Sequence, residues 1–211
     1  MPPSADSPLI PIFVSRPADL TYATATAPSN NQREHWISAM EEEMASLRGH
    51  ATWYLTPRLP GMKVLPVRWV YTTKLDAMGE VERYKARLVA KGFMQRPGLE
   101  FTEVFAPVTS KATLRMLLAT VVTQKKFIRQ LDVKTAFLNG KLDPDLNVYM
   151  AQPEGFEEPG DLVCKLVRSL YGLKQAPRMW SQELARVLNA AGFRASTVDP
   201  ALFFRKEAGG S

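Results

Sequence analysis

The sequence predicts an α+β fold. Three observations lead there: apolar residues recur at helical spacing in three separate stretches, residues 80–91 alternate with period two, and no internal repeat signals a solenoid. Helix, hairpin and helix come first in the chain. A strand–turn–helix–strand series follows.

The elements are predicted in order. Residues 1–30 hold six of the 16 prolines among many Ala, Ser and Thr, the composition of a disordered leader. A helix starts at Asn31, with Ser29 or Asn30 as its cap. Its apolar stripe is Trp36, Ile37, Met40, Met44 and Leu47, Gly49 ends it, and Glu41, Glu42 and Glu43 form a solvated acidic face. Residues 66–75 and 80–91 pair around the turn DAMG. On the second strand, alternation puts Val81, Arg83, Lys85, Arg87, Val89 and Lys91 on one face, and Glu82, Tyr84, Ala86, Leu88 and Ala90 on the other.

Leu114, Leu117, Leu118, Val121 and Val122 mark a second helix, which runs into FIRQLDV, a short apolar stretch with the character of a buried strand. NVYMAQPEGF predicts a strand and a Pro/Gly loop, and LVCKLVRSLYGLKQAP a strand into a Gly-containing turn. Pro177 opens a last helix with Trp180, Leu184, Val187 and Leu188 on its buried stripe, closed by Gly192. DPALFFRK begins a further strand.

The totals bound the function. A chain of 211 residues, 45% hydrophobic, suits one medium domain or two small lobes. Of its 27 basic and 21 acidic residues, 12 Lys/Arg against 5 Asp/Glu fall between Lys63 and Lys126, so the cationic character is concentrated there. That favours polyanionic partners. Four cations on one face of a hairpin arm repel one another. They imply an anion held there or, equally, a solvated edge strand whose charges discourage aggregation. The single Cys164 excludes an internal disulfide and reads as a small buried hydrophobe. Two histidines provide no structural zinc set. LIPIFV is too short, and broken by Pro11, to be a signal peptide or membrane span, so an intracellular protein without a membrane segment is expected.

Five phrases occur in order: WVYTTK…GEVERYKARLVAKGFMQ, FAPVTSKATLR, QLDVKTAFLNG, VYMAQPEGF and SLYGLKQAPRMW. Together they resemble the reverse transcriptase of copia-type retrotransposon polyproteins, from about Trp36 to Lys206. The resemblance implies a right-hand polymerase, with a fingers-like lobe over residues 31–110 and a partial palm over 111–211. It also implies Mg²⁺ as cofactor, and an RNA or DNA template-primer and a deoxynucleoside triphosphate as partners. In such enzymes two metal ions join nucleotides, and Mg²⁺ takes hard oxygen ligands. Asp132 matches the first palm aspartate, at the end of a strand; on its own it would read as a turn acid. Phe137 matches a bulky aromatic that resembles a steric gate against a 2′-hydroxyl; on its own it would read as core.

By the same resemblance Lys85 and Arg87 contact the triphosphate, the spacing leaving open which is nearer, while Arg83 and Lys91 meet template phosphates. Tyr171, Gly172 and Lys174 match the turn that supports the incoming nucleotide, and Gln175 and Pro177 the helix start that supports template. Trp53, Trp69 and Trp180 read as core.

The family continues into a Tyr-x-Asp-Asp hairpin, whereas these 211 residues contain no Asp-Asp pair. One carboxylate does not hold two divalent cations. A truncated, inactive piece is therefore the expectation, with association through an unpaired C-terminal strand. The alternatives are a non-catalytic, sequence-tolerant nucleic-acid-binding module and a decayed coding remnant.

Overall fold

The computed structural model describes residues 14–206. In chain order its elements are β1 (Val14–Ala18), α1 (Tyr22–Ala25), α2 (Arg33–Gly49), β2 (Trp53–Pro57), β3 (Val64–Leu65), β4 (Val67–Leu75) and β5 (Val81–Ala90). There follow α3 (Lys111–Thr123), α4 (Ala136–Asn139), β6 (Tyr149–Met150), β7 (Leu162–Leu166), α5 (Ala176–Ala190), β8 (Arg194–Ala195) and β9 (Phe203–Phe204). They build three sheets, ordered β1-β4-β5, β2-β7-β6-β3 and β8-β9. The result is a mixed α/β fold.

The hairpin β4–β5 is antiparallel, with Thr72 opposite Lys85 and Val70 opposite Arg87. Its turn is set by Asp76, whose carboxylate accepts the N–H groups of Met78 and Glu80, and by Gly79 in the left-handed region. The predicted alternation on β5 holds: Ala86, Leu88 and Ala90 are buried, while the cationic positions face outward. α2 lies across this sheet. Trp36, Met40, Met44 and Leu47 are buried there, with Trp36 edge-on to both Tyr71 and Tyr84 at centroid distances of 5.3 and 4.7 Å. The same core reaches Leu138, Val148, Met150, Leu166 and Leu170, and so joins the first two sheets.

Several expectations need correction. Of the leader, residues 1–13 lie outside the described residues, but 14–30 are not free. β1 pairs along β4 from Val14–Leu75 to Ala18–Tyr71, because strand pairing satisfies backbone groups whatever the side chains. The cap position of α2 is Gln32, whose side chain makes no capping bond. Asn30 instead holds the preceding turn: it accepts from the Gln32 N–H and donates to the carbonyls of Thr24 and Ala25.

FIRQLDV is not a buried strand. Among the described residues no strand pairs with 127–133, and Phe127, Ile128 and Leu131 are exposed. A strand needs a partner for its ladder, and none reaches this segment. α3 forms where predicted, capped by Ser110, yet none of its residues is buried. On α5 only Ala176 is buried; Trp180, Leu184 and Leu188 are half-buried and Val187 is exposed. DPALFF pairs through Phe203 and Phe204 with β8. Of the tryptophans read as core, Trp69 is buried, whereas Trp53 and Trp180 are half-buried.

Candidate anion-binding cleft

An open cleft of about 630 Å³ lies between α2, β5 and the turn before α4. Ala39, Glu42, Glu43 and Ser46 form the helical wall. Arg83, Lys85 and Arg87 stand on β5. Residues 132–137 form the opposite side, and Tyr171 completes it. Strand alternation presents the three β5 cations together, and helix geometry places Glu42, Glu43 and Ser46 beside them.

The charges do not stand alone. Arg83 is ion-paired with Glu42. Glu43 accepts the Leu88 N–H at 3.4 Å, and burial holds its carboxyl above the usual carboxylate range. Lys85 is held below the ordinary lysine range, first by burial and then by the neighbouring Arg83, Arg87 and Lys74. The Arg87 guanidinium sits 5.5 Å above the Tyr171 ring, and that ring meets Phe137 edge-on at 5.4 Å. Arg87, Tyr171 and Phe137 thus form a continuous wall from cation to aromatic.

Asp132 is exposed at the rim, so the desolvation cost expected for an acid at a buried strand end does not arise. Three residues on, Thr135 has φ 52° and ψ 36° and occupies the cap position of α4. A β-branched residue in the left-handed region is strained, and that strain sits between Asp132 and Phe137.

The cleft brings together Arg83, Lys85, Arg87, Asp132, Phe137 and Tyr171, but not the remaining five residues picked out in the sequence. Gly172 packs against the end of β5: its φ is 88°, a Cβ there would overlap the Ala90 carbonyl, and the Ala90 N–H donates to the Tyr171 carbonyl at 2.9 Å. Lys91 is half-buried beyond that strand end. The Lys174 ammonium lies 4.9 Å above the Phe101 ring. Pro177 is exposed in the first turn of α5.

Gln175 is 2% exposed, so its assignment to a nucleic-acid surface is corrected. Its amide donates to the Glu100 carbonyl at 2.9 Å and accepts from Gln95 at 3.0 Å, which locks residues 95–100 to the start of α5. Glu42, Glu43 and Ser46 went unrecognised in the sequence. The two acids read as part of a solvated acidic face, and no local pattern marks them as facing the β5 cations.

The donors do not fit a two-magnesium site. Among the described residues no three His, Cys, Asp or Glu side chains come together as a metal would need. Glu42 is engaged by Arg83.

Cations thus stand beside a ring wall within a mixed α/β fold. The chain belongs to the reverse transcriptase (RNA-dependent DNA polymerase) family, whose model matches residues 50–211. It is similar to the retrovirus-related Pol polyproteins from transposons RE1 and RE2 of Arabidopsis thaliana. Identity is 46% over 173 residues (81% of this chain) and 42% over 194 residues (87%). It is also 41% identical over 180 residues, 84% of its length, to the Pol polyprotein from transposon TNT 1-94 of Nicotiana tabacum. The chain spans only 12–13% of the length of these relatives. No solved structure matches it significantly. Among the described residues no helix is long and apolar enough to cross a membrane.

Proposed function

We propose that these residues form the nucleotide-gripping part of a copia-type reverse transcriptase, which copies RNA into DNA within a longer polyprotein. Residues 31–110 act as fingers and 111–211 as the start of a palm. The observation that carries this reading is the cleft itself, where Lys85 and Arg87 face the turn bearing Asp132 and Phe137.

In this reading Arg87 presents a fork to phosphate oxygens and Lys85 adds point charge. Tyr171 orients the Arg87 fork by lying beneath it. Phe137, propped edge-on by Tyr171, packs against the sugar and leaves no room for a 2′-hydroxyl. Asp132 stands at the reacting end of the bound nucleotide. Template-primer approaches from the side of the exposed segment 127–133.

Calorimetric titration of the 211-residue protein with a deoxynucleoside triphosphate, at low salt, tests this. Arg87→Ala weakens binding about tenfold or more, as expected for a lost hydrogen bond to a charged group. Phe137→Ala narrows the preference for deoxy- over ribonucleotide. A Lys85→Ala/Arg87→Ala double variant that binds like the parent overturns the reading. Because the 211 residues contain no adjacent aspartate pair, primer extension by this polypeptide alone stays at background. Templated incorporation would contradict that.

A further inference from the structure

The cleft is far less cationic than its strand suggests. Lys134 and the three β5 cations face Glu42, Glu43 and Asp132, so four positive side chains oppose three negative ones. Glu42 is the carboxylate already bound to a cation of the proposed phosphate face, and Glu43 lies beside it, anchored to β5 through the Leu88 N–H. A ligand approaching Arg83 must therefore compete with an anion that the protein itself supplies.

We propose that Glu42, backed by Glu43, is an internal counter-anion that occupies Arg83 until a polyphosphate displaces it, so that the acidic wall of α2 limits the grip of the cleft on highly charged ligands. The proposal rests on the reading of the cleft as a triphosphate site and adds a device that limits its affinity.

The argument is one of competition. Both partners of the Glu42–Arg83 pair are largely exposed, with side-chain exposures of 63% and 51%, and such pairs are weakly held. An anion with several charges reaches Lys85 and Arg87 as well as Arg83 and displaces the carboxylate. One carrying a single phosphate makes only one of these contacts and, having fewer charges, is repelled less by Glu42 and Glu43. The wall thus lowers affinity for all anions, and for highly charged ones most. Glu43 is half-buried against the Leu88 N–H whereas Glu42 is exposed, so Glu42 is the part that moves.

Inorganic tripolyphosphate and orthophosphate, titrated by calorimetry in metal-free buffer at pH 7.5, are sufficient probes. Glu42→Gln, at an exposed position, keeps the fold. It tightens tripolyphosphate binding about two- to fivefold, the range of an exposed ion pair. It tightens orthophosphate binding by a smaller factor, so the ratio between the two ligands grows. In an Arg83→Gln background, Glu42→Gln changes the ratio little, because the cation it screens is gone. If Glu42→Gln leaves the ratio unchanged or weakens binding, while Lys85→Ala still weakens it, the counter-anion is refuted and the phosphate cleft stands. If neither parent nor Glu42→Gln binds tripolyphosphate, the cleft reading fails and the counter-anion with it.

Discussion

At Gly172 a single hydrogen atom decides whether β5 can end where it does. The left-handed backbone and the contact with the Ala90 carbonyl both exclude a Cβ, so Gly172→Ala costs roughly 2–4 kcal/mol from strain and overlap combined. Urea denaturation followed by fluorescence measures it. The change also moves Tyr171, whose carbonyl holds the Ala90 N–H, and so loosens the support beneath Arg87. Cys164 gives a second residue-scale test. It is fully buried and burial pushes its thiol up to about 12, so the reactive thiolate is scarce at neutral pH. Iodoacetamide should label it only in denaturant; rapid labelling of the native protein would place it elsewhere.

The β5 cations and Phe137 were legible because each is marked by its immediate neighbours, through alternation or through the QLDVKTAFLNG phrase. Glu42 was not. Its partner Arg83 is 41 positions away, and no local pattern distinguishes an acid facing solvent from one facing a cation. Gln175 failed for a related reason: a polar residue at a helix start looks surface-facing until Gln95 and Glu100 close over it.

At the scale of elements, the hairpin and α3 make an instructive contrast. Both follow their sequence periodicity, but only β5 buries the face that its pattern predicts. Periodicity reports which residues share a face, not whether anything covers that face. Leu117 on α3 remains 45% exposed, whereas Leu88 on β5 is fully buried. Leu88→Ala therefore costs about 2–5 kcal/mol, and Leu117→Gln stays within about 0.5 kcal/mol. A large loss for Leu117→Gln in the purified chain would show that a partner covers α3. The segment 127–133 fails by the same logic: its apolar residues signalled burial, but burial needs a second surface.

Across the whole molecule, two carboxyl groups give stability opposite dependences on pH. Asp199 caps the start of α3 from the β8–β9 loop. Hydrogen bonds from Thr113 and the Ser110 N–H hold its carboxyl below 3.8, so the folded state binds fewer protons there. Its contribution is complete above 3.8 and fades as pH falls through the folded value. Glu43 is the reverse: burial raises it above 4.5, so the folded state binds more protons and stability declines as pH rises from 4.5 through the folded value. Melting temperature against pH should rise through the first window and sag through the second. Asp199→Asn flattens the acid side and Glu43→Gln removes the sag. Curves that keep their shape in both variants would assign the effect to other groups.

The register that joins Trp53 to Leu166 and Pro57 to Leu162 has a consequence for biosynthesis. β2 leaves the ribosome roughly a hundred positions ahead of β7, a wait of about 5–20 s at ordinary translation rates. Throughout that interval the hairpin and α2 can assemble from neighbouring chain, while β2 remains a bare edge open to chaperones.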